Sequence, residues 1–500
     1  MMAKNRKLQK VLTVSLVATF GMGLLAGCNG GKAPASKEEK VLRIGVLSGG
    51  YDDSYFRQQY TDIYEFTNEN IKIEIVPAID QSQYRYNDGT EEYVQPDYLE
   101  SMKKIMTGSN PVDIVVSDTS TLKQLIQENL LKQLDPLMQE DKFETTDFVP
   151  AVIDGIRDLG DNQIYALSPS FSSSALFYNK KMFTDANIDF PTDKMTWDEV
   201  FNLARRLTKG EGKDRVYGFS FNRYRGSDPY WDMQTYVSAL QMKTFDDKAE
   251  TMTVNTPQWV KIWETMSKLS KDKIIPDNAS LEMDSGENWN AISSDLFLSG
   301  KVAMTIGESY YVNEIADAND NAAKIKNYTP IDWDVVTIPV HPEKPDIGGN
   351  IWLNNTFSIN SSAPNAETAW DFLKFINSEE WAKLKSRGSY EMVARKSFIQ
   401  PKQGQTYNIQ AFYLLKPLPP SNPKDDKMMM EKPGLYSITN SGRSSFQEVI
   451  DNKKTPEEAL KDWETKGNKM LQEIKNNPKT QFQEDGTPFV PEVSGAARAG

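Results

Sequence analysis

The sequence predicts an α/β protein folded as two or more lobes, and three observations carry that expectation. Its 500 residues exceed what one hydrophobic core organises. Residues 41–47 (VLRIGVL) and 71–76 (IKIEIV) are strand-type runs, with a helical pattern through Phe56, Tyr60, Ile63, Tyr64 and Phe66 between them. Strand, helix and strand with short connections make a βαβ unit, so the sheet is expected to be mostly parallel. Further on, residues 174–178 (SALFY) read as a buried strand ended by Asn179, Lys180 and Lys181, and Thr196 then opens a helix. The spacing from Thr196 to Glu199 is a capping box, in which each side chain satisfies an orphan backbone N–H of the first turn. Trp197, Val200, Phe201, Ala204 and Leu207 follow at helical spacing, so one face is apolar and must pack on something.

Hydrophobic residues are 39% of the chain and charged residues 25%, the balance of a soluble globular protein. The formal charge is -13, and the first 27 residues carry Lys4, Arg6, Lys7 and Lys10 without an acid, so the chain that remains after them is more acidic still. Such a chain repels nucleic acid and anionic lipid, and no nucleic-acid partner is expected. Residues 1–28 join a basic start, an apolar run from Val11 to Leu25 and small residues before a cysteine, the pattern of a secretory leader. Leu25-Ala26-Gly27-Cys28 fits the bacterial lipoprotein box, so residues 1–27 are read as a signal peptide and Cys28 as the acylated, palmitate-bearing first residue. Two or more acyl chains anchor stably where one does not, which places the protein on the extracellular face of the cell membrane. Cys28 is the only cysteine, so no intrachain disulfide and no cysteine metal site is available. Residues 28–40 read as a flexible tether.

In a parallel sheet, ligands sit beyond the carboxyl ends of strands. Tyr51, Asp52 and Asp53 follow the first strand and are candidates for a cleft edge, in competition with a solvated acidic turn. Residues 80–98 form a polar, tyrosine-rich loop, either a lid or a surface excursion. Asp118 follows the strand 114–116; its carboxylate suits vicinal sugar hydroxyls, and equally the N-cap of a helix beginning near Thr121. In 227–236 (SDPYWDMQTY), Tyr230 and Trp231 stand beside Asp228 and Asp232. Aromatic faces bordered by carboxylates suit a pyranose, whose C–H face is apolar and whose rim is hydroxyl, and Trp231 is the ligand candidate there, with core packing as the competing use. Thr256-Pro257 opens a helix that turns Val260, Trp263 and Met266 inward. Met304-Thr305-Ile306 is an apolar strand, Gly307 permits a sharp exit, and Glu308 and Tyr310 then offer an acceptor and a flat face. The alternative there buries Tyr310 and turns Tyr311 outward. Residues 333–339 and 356–359 are further strands, and Ala366, Ala369, Trp370, Leu373 and Ile376 form a helical core face. The last helix starts with the Thr455–Glu458 capping box and buries Leu460, Trp463, Met470, Leu471 and Ile474. Beyond Asn476 the chain is polar, proline-interrupted and expected to be loosely ordered, with 481–500 as a tail.

Enzyme readings find little support. The single histidine is His341, and none of G-x-S-x-G, H-E-x-x-H or G-x-x-x-x-G-K-[ST] occurs. Asp317, Asn319 and Asn321 imitate the start of a calcium loop, but Ala322 and Tyr328 stand where glycine and glutamate are required. No metal or organic cofactor is expected. A secreted two-carboxylate glycosidase and a surface adhesin remain as alternatives, since acidic residues are plentiful.

Three segments carry a family resemblance. The strand end Tyr178-Asn179-Lys180 with the Thr196-Trp197-Asp198-Glu199 helix start, the run 297–315 (FLSGKVAMTIGESYYVNEI), and 113–134 with Val112 in place of a usual proline are together similar to the family 1 extracellular solute-binding proteins. These are the maltose-binding-protein-like, sugar-capturing lipoproteins of bacterial ABC importers. The matches run in the family's order from about Leu42 to Ile474. The resemblance implies a two-lobe periplasmic-binding-protein fold of type II, each lobe a mostly parallel sheet flanked by helices, with the ligand cleft between. It implies residues 41–166 with 357–400 as one lobe and 167–356 with 401–480 as the other. It puts a sugar-stacking aromatic at Tyr310, where the family has tryptophan, and places Trp352 near the hinge where the chain crosses back between lobes. A sugar or oligosaccharide ligand, a membrane permease with a separate ATPase, a monomeric state and the absence of catalysis follow from the same resemblance.

Overall fold

The computed structural model describes residues 39–50, 52–84, 96–224, 228–276, 290–349, 351–388, 390–402, 404–419, 422–483 and 486–489. Cys28, the leader, Tyr51 and most of the loop 80–98 lie outside them.

The first sheet has the order β2-β1-β3-β9-β4, built from β1 (Lys40–Gly49), β2 (Ile71–Asp80), β3 (Ile114–Ser117), β4 (Ala166–Leu167) and β9 (Thr356–Ile359). β1 runs parallel to β2 (Ile44 opposite Ile75) and to β3 (Ile44 opposite Ile114), as the βαβ pattern predicts. β9 is antiparallel to β3 and β4 on its two sides. β3 is buried along its whole length, which its unbroken apolar run requires. Leu42, Ile44, Ile114 and Phe357 share one core with Trp370, Phe372 and Leu373 of the Ala366–Ile376 helix. Asp113 is fully buried because its carboxylate is saturated: Oδ2 accepts from Arg43 N at 3.0 Å and Oδ1 from Asn365 N at 2.7 Å.

The second sheet is organised around β5 (Ser170–Asn179). Its first residues pair with β8 (Ile351–Trp352) and β10 (Met392–Val393), and its later ones with β6 (Met304–Glu308) and β7 (Trp333–Val336) on opposite sides. Every one of these ladders is antiparallel, whereas two of the four ladders of the first sheet are parallel, so the mostly parallel sheet expected for each half is not met in the second. The reason is topological. β5 enters from the first sheet in one direction, while β6 and β7 flank it in the other; parallel pairings here are single bridges, such as those of Tyr217 to Val302 and Ser220 to Thr305 beside β6 and of Thr196 to Val340.

The helices of this half follow their sequence signals. Both capping boxes form, at Thr196–Glu199 and Thr455–Glu458. Trp197, Val200, Phe201, Ala204 and Leu207 are all buried, as are Leu460, Trp463, Met470, Leu471 and Ile474. In the Pro257–Lys271 helix Trp263 and Met266 point inward as expected, joined by Trp259 and Ile262, while Val260 is only partly buried. The segment after Asn476 differs from expectation. Phe482 is 9% exposed and packs into the same core, and β11 (Gln481–Phe482) pairs with β12 (Pro488–Phe489). The Pro423–Glu431 helix lies beside the Thr119–Gln127 helix, so the two halves touch away from the strand crossings as well.

Candidate functional site

Two cavities open where strands end. The first, of about 520 Å³, sits at the carboxyl ends of β1 and β3, where Ser48 to Gly50, Asp52, Asp53 and Ser117 meet Asn354 and Asn355. Asp52 is fixed by its own turn: its Oδ1 accepts from Ser54 N at 2.9 Å and from Ser54 Oγ at 2.5 Å. Those bonds, the hydroxyl's first, hold the carboxyl below the usual aspartate range, so it presents a negative charge to the cavity. Asp53 is tied to Arg57 at 2.8 Å. Asp118 lines neither cavity. It is the N-cap of the Thr119–Gln127 helix, its Oδ1 accepting from Thr121 N at 2.7 Å, the local use that competes with ligand contact.

The second cavity, of about 530 Å³, lies beyond the end of β6 and brings together Glu308, Tyr310, Trp352, Arg223, Tyr224 and the side chains of Gln234 and Thr235. Trp352 is 45% exposed although it belongs to a strand, because β8 is only two residues long and its Ile351 faces the core. Tyr310 closes the N-terminus of the Tyr311–Asp320 helix and faces the cavity, whereas Tyr311 is fully buried against Phe177 and Phe297. Gly307 keeps an ordinary backbone conformation, so the sharp exit is not its reason for being glycine; an added Cβ would stand 3.0 Å from both the Phe177 and Tyr311 rings. Tyr390, on the approach to β10, brings its exposed ring to 5.8 Å from that of Tyr310.

Behind these rings lies a group that sequence reading missed. Arg223, 4% exposed, holds Glu314 through both terminal nitrogens (2.5 and 2.8 Å) and Asp295 at 3.2 Å, with its guanidinium 4.3 Å from the centre of the Tyr224 ring and 4.1 Å from that of Tyr311. Burial pushes the Asp295 carboxyl up, opposed by bonds from Leu298 N, the Tyr311 hydroxyl and Arg223. An arginine inside the aromatic run FSFNRY was the available signal. Its acids are remote in sequence, so their pairing could not be read.

The two cavities are joined by the chain itself. Trp352 lines the second and Asn354 the first, and Asn354 Nδ2 donates to Ser172 Oγ of β5 at 2.8 Å while Asn355 Nδ2 donates to Tyr60 Oη at 3.1 Å. Trp231 stands apart. It is 44% exposed and lines a third cavity of about 410 Å³ with Asn440, Arg443 and Phe482.

A profile of the bacterial extracellular solute-binding proteins matches residues 51–383. This chain belongs to that family. Among relatives of the solute-binding family, a putative binding protein of Brucella abortus is 23% identical over 464 residues, covering 91% of this chain and 99% of its own. The sn-glycerol-3-phosphate-binding periplasmic protein of Escherichia coli is 20% identical, with 81% and 92% covered. In structure, an extracellular solute-binding protein family 1 from Alicyclobacillus acidocaldarius gives a TM-score of 0.59 at 15% identity over 88% of this chain and 100% of its own. A sugar transporter from Rhizobium etli in an open conformation gives 0.56 at 20% identity over 86% and 99%. The fold is the α/β type II fold of solute-binding proteins.

Proposed function

We propose that the protein is the extracellular, lipid-anchored substrate-binding component of an ABC importer, capturing a neutral sugar or oligosaccharide between two lobes and handing it to a membrane permease energised by a separate ATPase. The observation that carries this reading is the pair of cavities at strand ends, one carboxylate-rich and one aromatic, linked by residues 352–355. Residues 41–166 with 357–400 and 167–356 with 401–480 are the proposed lobes. Asp52 supplies a hydroxyl acceptor on one side, and Glu308, Tyr310 and Trp352 an acceptor and stacking faces on the other. Ligand bound to both sides favours the closed form, because only that form offers both sets of contacts.

The Rhizobium neighbour is a sugar transporter, whereas the Escherichia relative binds a phosphate ester, and charge favours the first. Among the described residues lining either cavity the only cation is Arg223, and it is already committed to Glu314 and Asp295, while Asp52, Asp53 and Glu308 are acidic. A thermal-shift screen of mono- and oligosaccharides with sn-glycerol-3-phosphate alongside tests this, since a ligand of the folded state raises the melting temperature by mass action. A sugar should stabilise and the phosphate ester should not; the opposite result overturns the reading, and cleavage of an oligosaccharide during incubation would replace it with a glycosidase. Anchoring is tested separately: Cys28→Ser should abolish membrane retention in fractionation, and an unchanged distribution counts against the lipid anchor.

A further inference from the structure

The Pro229–Val237 helix turns one side to two cavities. Tyr230, Met233, Tyr236 and Val237 are buried, while Gln234 and Thr235, with Ser238 just beyond, line the Tyr310 cavity. Trp231 stands three residues before Gln234 and four before Thr235, on the same exposed side, and lines the third cavity. Seven residues separate Trp231 from Ser238, a span of about 10 Å at helical rise, longer than one pyranose ring.

The far end is built rather than incidental. The Trp231 ring is set edge-on against Tyr230, with centroids 5.2 Å apart, and Tyr230 Oη donates to Thr439 O at 2.5 Å. Arg443 Nε donates to Asp228 Oδ2 at 2.6 Å, tying the helix start to the Gly434–Ile450 helix. The two helices come this close because residue 442 is glycine; an added Cβ would stand 2.4 Å from Tyr230 Oη. The described lining of this cavity consists of serine hydroxyls, side-chain amides, the Arg443 guanidinium and two aromatic rings, with no carboxylate and no aliphatic side chain. Hydroxyls, side-chain amides and a guanidinium set around a flat ring match the hydroxyl rim and C–H face of a sugar and offer little to a purely apolar partner.

We propose that the ligand is an extended oligosaccharide of about three units or more, running from the Tyr310 cavity along the Pro229–Val237 helix to a distal platform formed by Trp231. This rests on the reading of the chain as a sugar-binding protein and adds the length of the ligand. Isothermal titration with glucose-, galactose- and xylose-based series of one to six sugars tests it. Affinity should rise by about tenfold or more between the monosaccharide and the longer members of the series that binds. Trp231→Ala should remove that gain while leaving the affinity for the shortest binder and the unliganded melting temperature unchanged, and Trp231→Phe should keep most of it. A monosaccharide as the tightest ligand overturns the inference with sugar binding intact. So does a Trp231→Ala effect that is equal, or absent, at every length. Failure of all sugars to bind overturns the underlying reading and this one with it.

Discussion

The two strand-end cavities hold their shapes by opposite means. At the first, Asp52 and Asp53 are secured within four residues of themselves, by Ser54 and Arg57. At the second, Arg223 reaches Asp295 and Glu314, the latter 91 residues away, and two aromatic rings sandwich the guanidinium. The first device sets its charges from within one turn, whereas the second is assembled only when distant segments have come together. The side chains on offer divide in a similar way, with Asp52 and Asp53 at the first cavity and the Tyr310 and Trp352 rings beside Glu308 at the second.

The largest expected effect comes from breaking the long-range device. Arg223→Met leaves Asp295 buried without its partner and should lower the unfolding free energy by about 3–5 kcal/mol in urea titration; a change under about 1 kcal/mol would mean the ion group is decorative. Next is Tyr310→Ala, which removes a ring from the cavity wall and should weaken sugar binding by about tenfold with the unliganded melting temperature nearly unchanged. A large stability loss with intact affinity would instead make Tyr310 part of the core. Acidification sharpens the contrast further. His341, packed between Trp197 and Tyr236 with Nε2 2.6 Å from Tyr236 O, has its pKa pushed down by burial. The unfolded chain then binds the extra proton first, so stability is full above about 6.5 and falls as pH drops below it. His341→Gln should flatten that slope between about pH 5 and 7, and an unchanged slope would place its origin elsewhere. The smallest effect belongs to Asp52→Asn: severalfold weaker binding and no measurable change in unliganded melting, while in the unsubstituted protein the loss of binding on Asp52 protonation should be confined to below the ordinary aspartate range, because its carboxyl is held down. If this substitution destabilised the protein as much as Arg223→Met does, the contrast between local and long-range positioning would fail.

What could be read from the sequence divides along the same line. The Thr196 and Thr455 helix starts were legible because a capping box is complete within four residues, and the βαβ start because its strands are neighbours. The antiparallel surroundings of β5 were not, since its partners come from residues 304–308, 333–336, 351–352 and 392–393. At the candidate site, Tyr310 and Trp352 stood out as aromatics next to glycine turns, and the family resemblance pointed to the same places. Asp118 shows the limit of such signals: one carboxylate fits two roles, and the structure shows it engaged in the capping one. Arg223 shows the other limit, a residue whose ion-pair partners are side chains that folding brings from elsewhere.

The position of β9 has a consequence for the order in which the chain can become itself. This strand, residues 356–359, fills the gap between β3 and β4, both made of residues before 168. A polypeptide emerging N-terminus first therefore carries an unfinished first sheet, with the edges of β3 and β4 unpaired, until more than two thirds of it has been synthesised. Long-range closure of this kind is slow. The same delay leaves two strand edges open to pairing with other chains until residues 356–359 have been made.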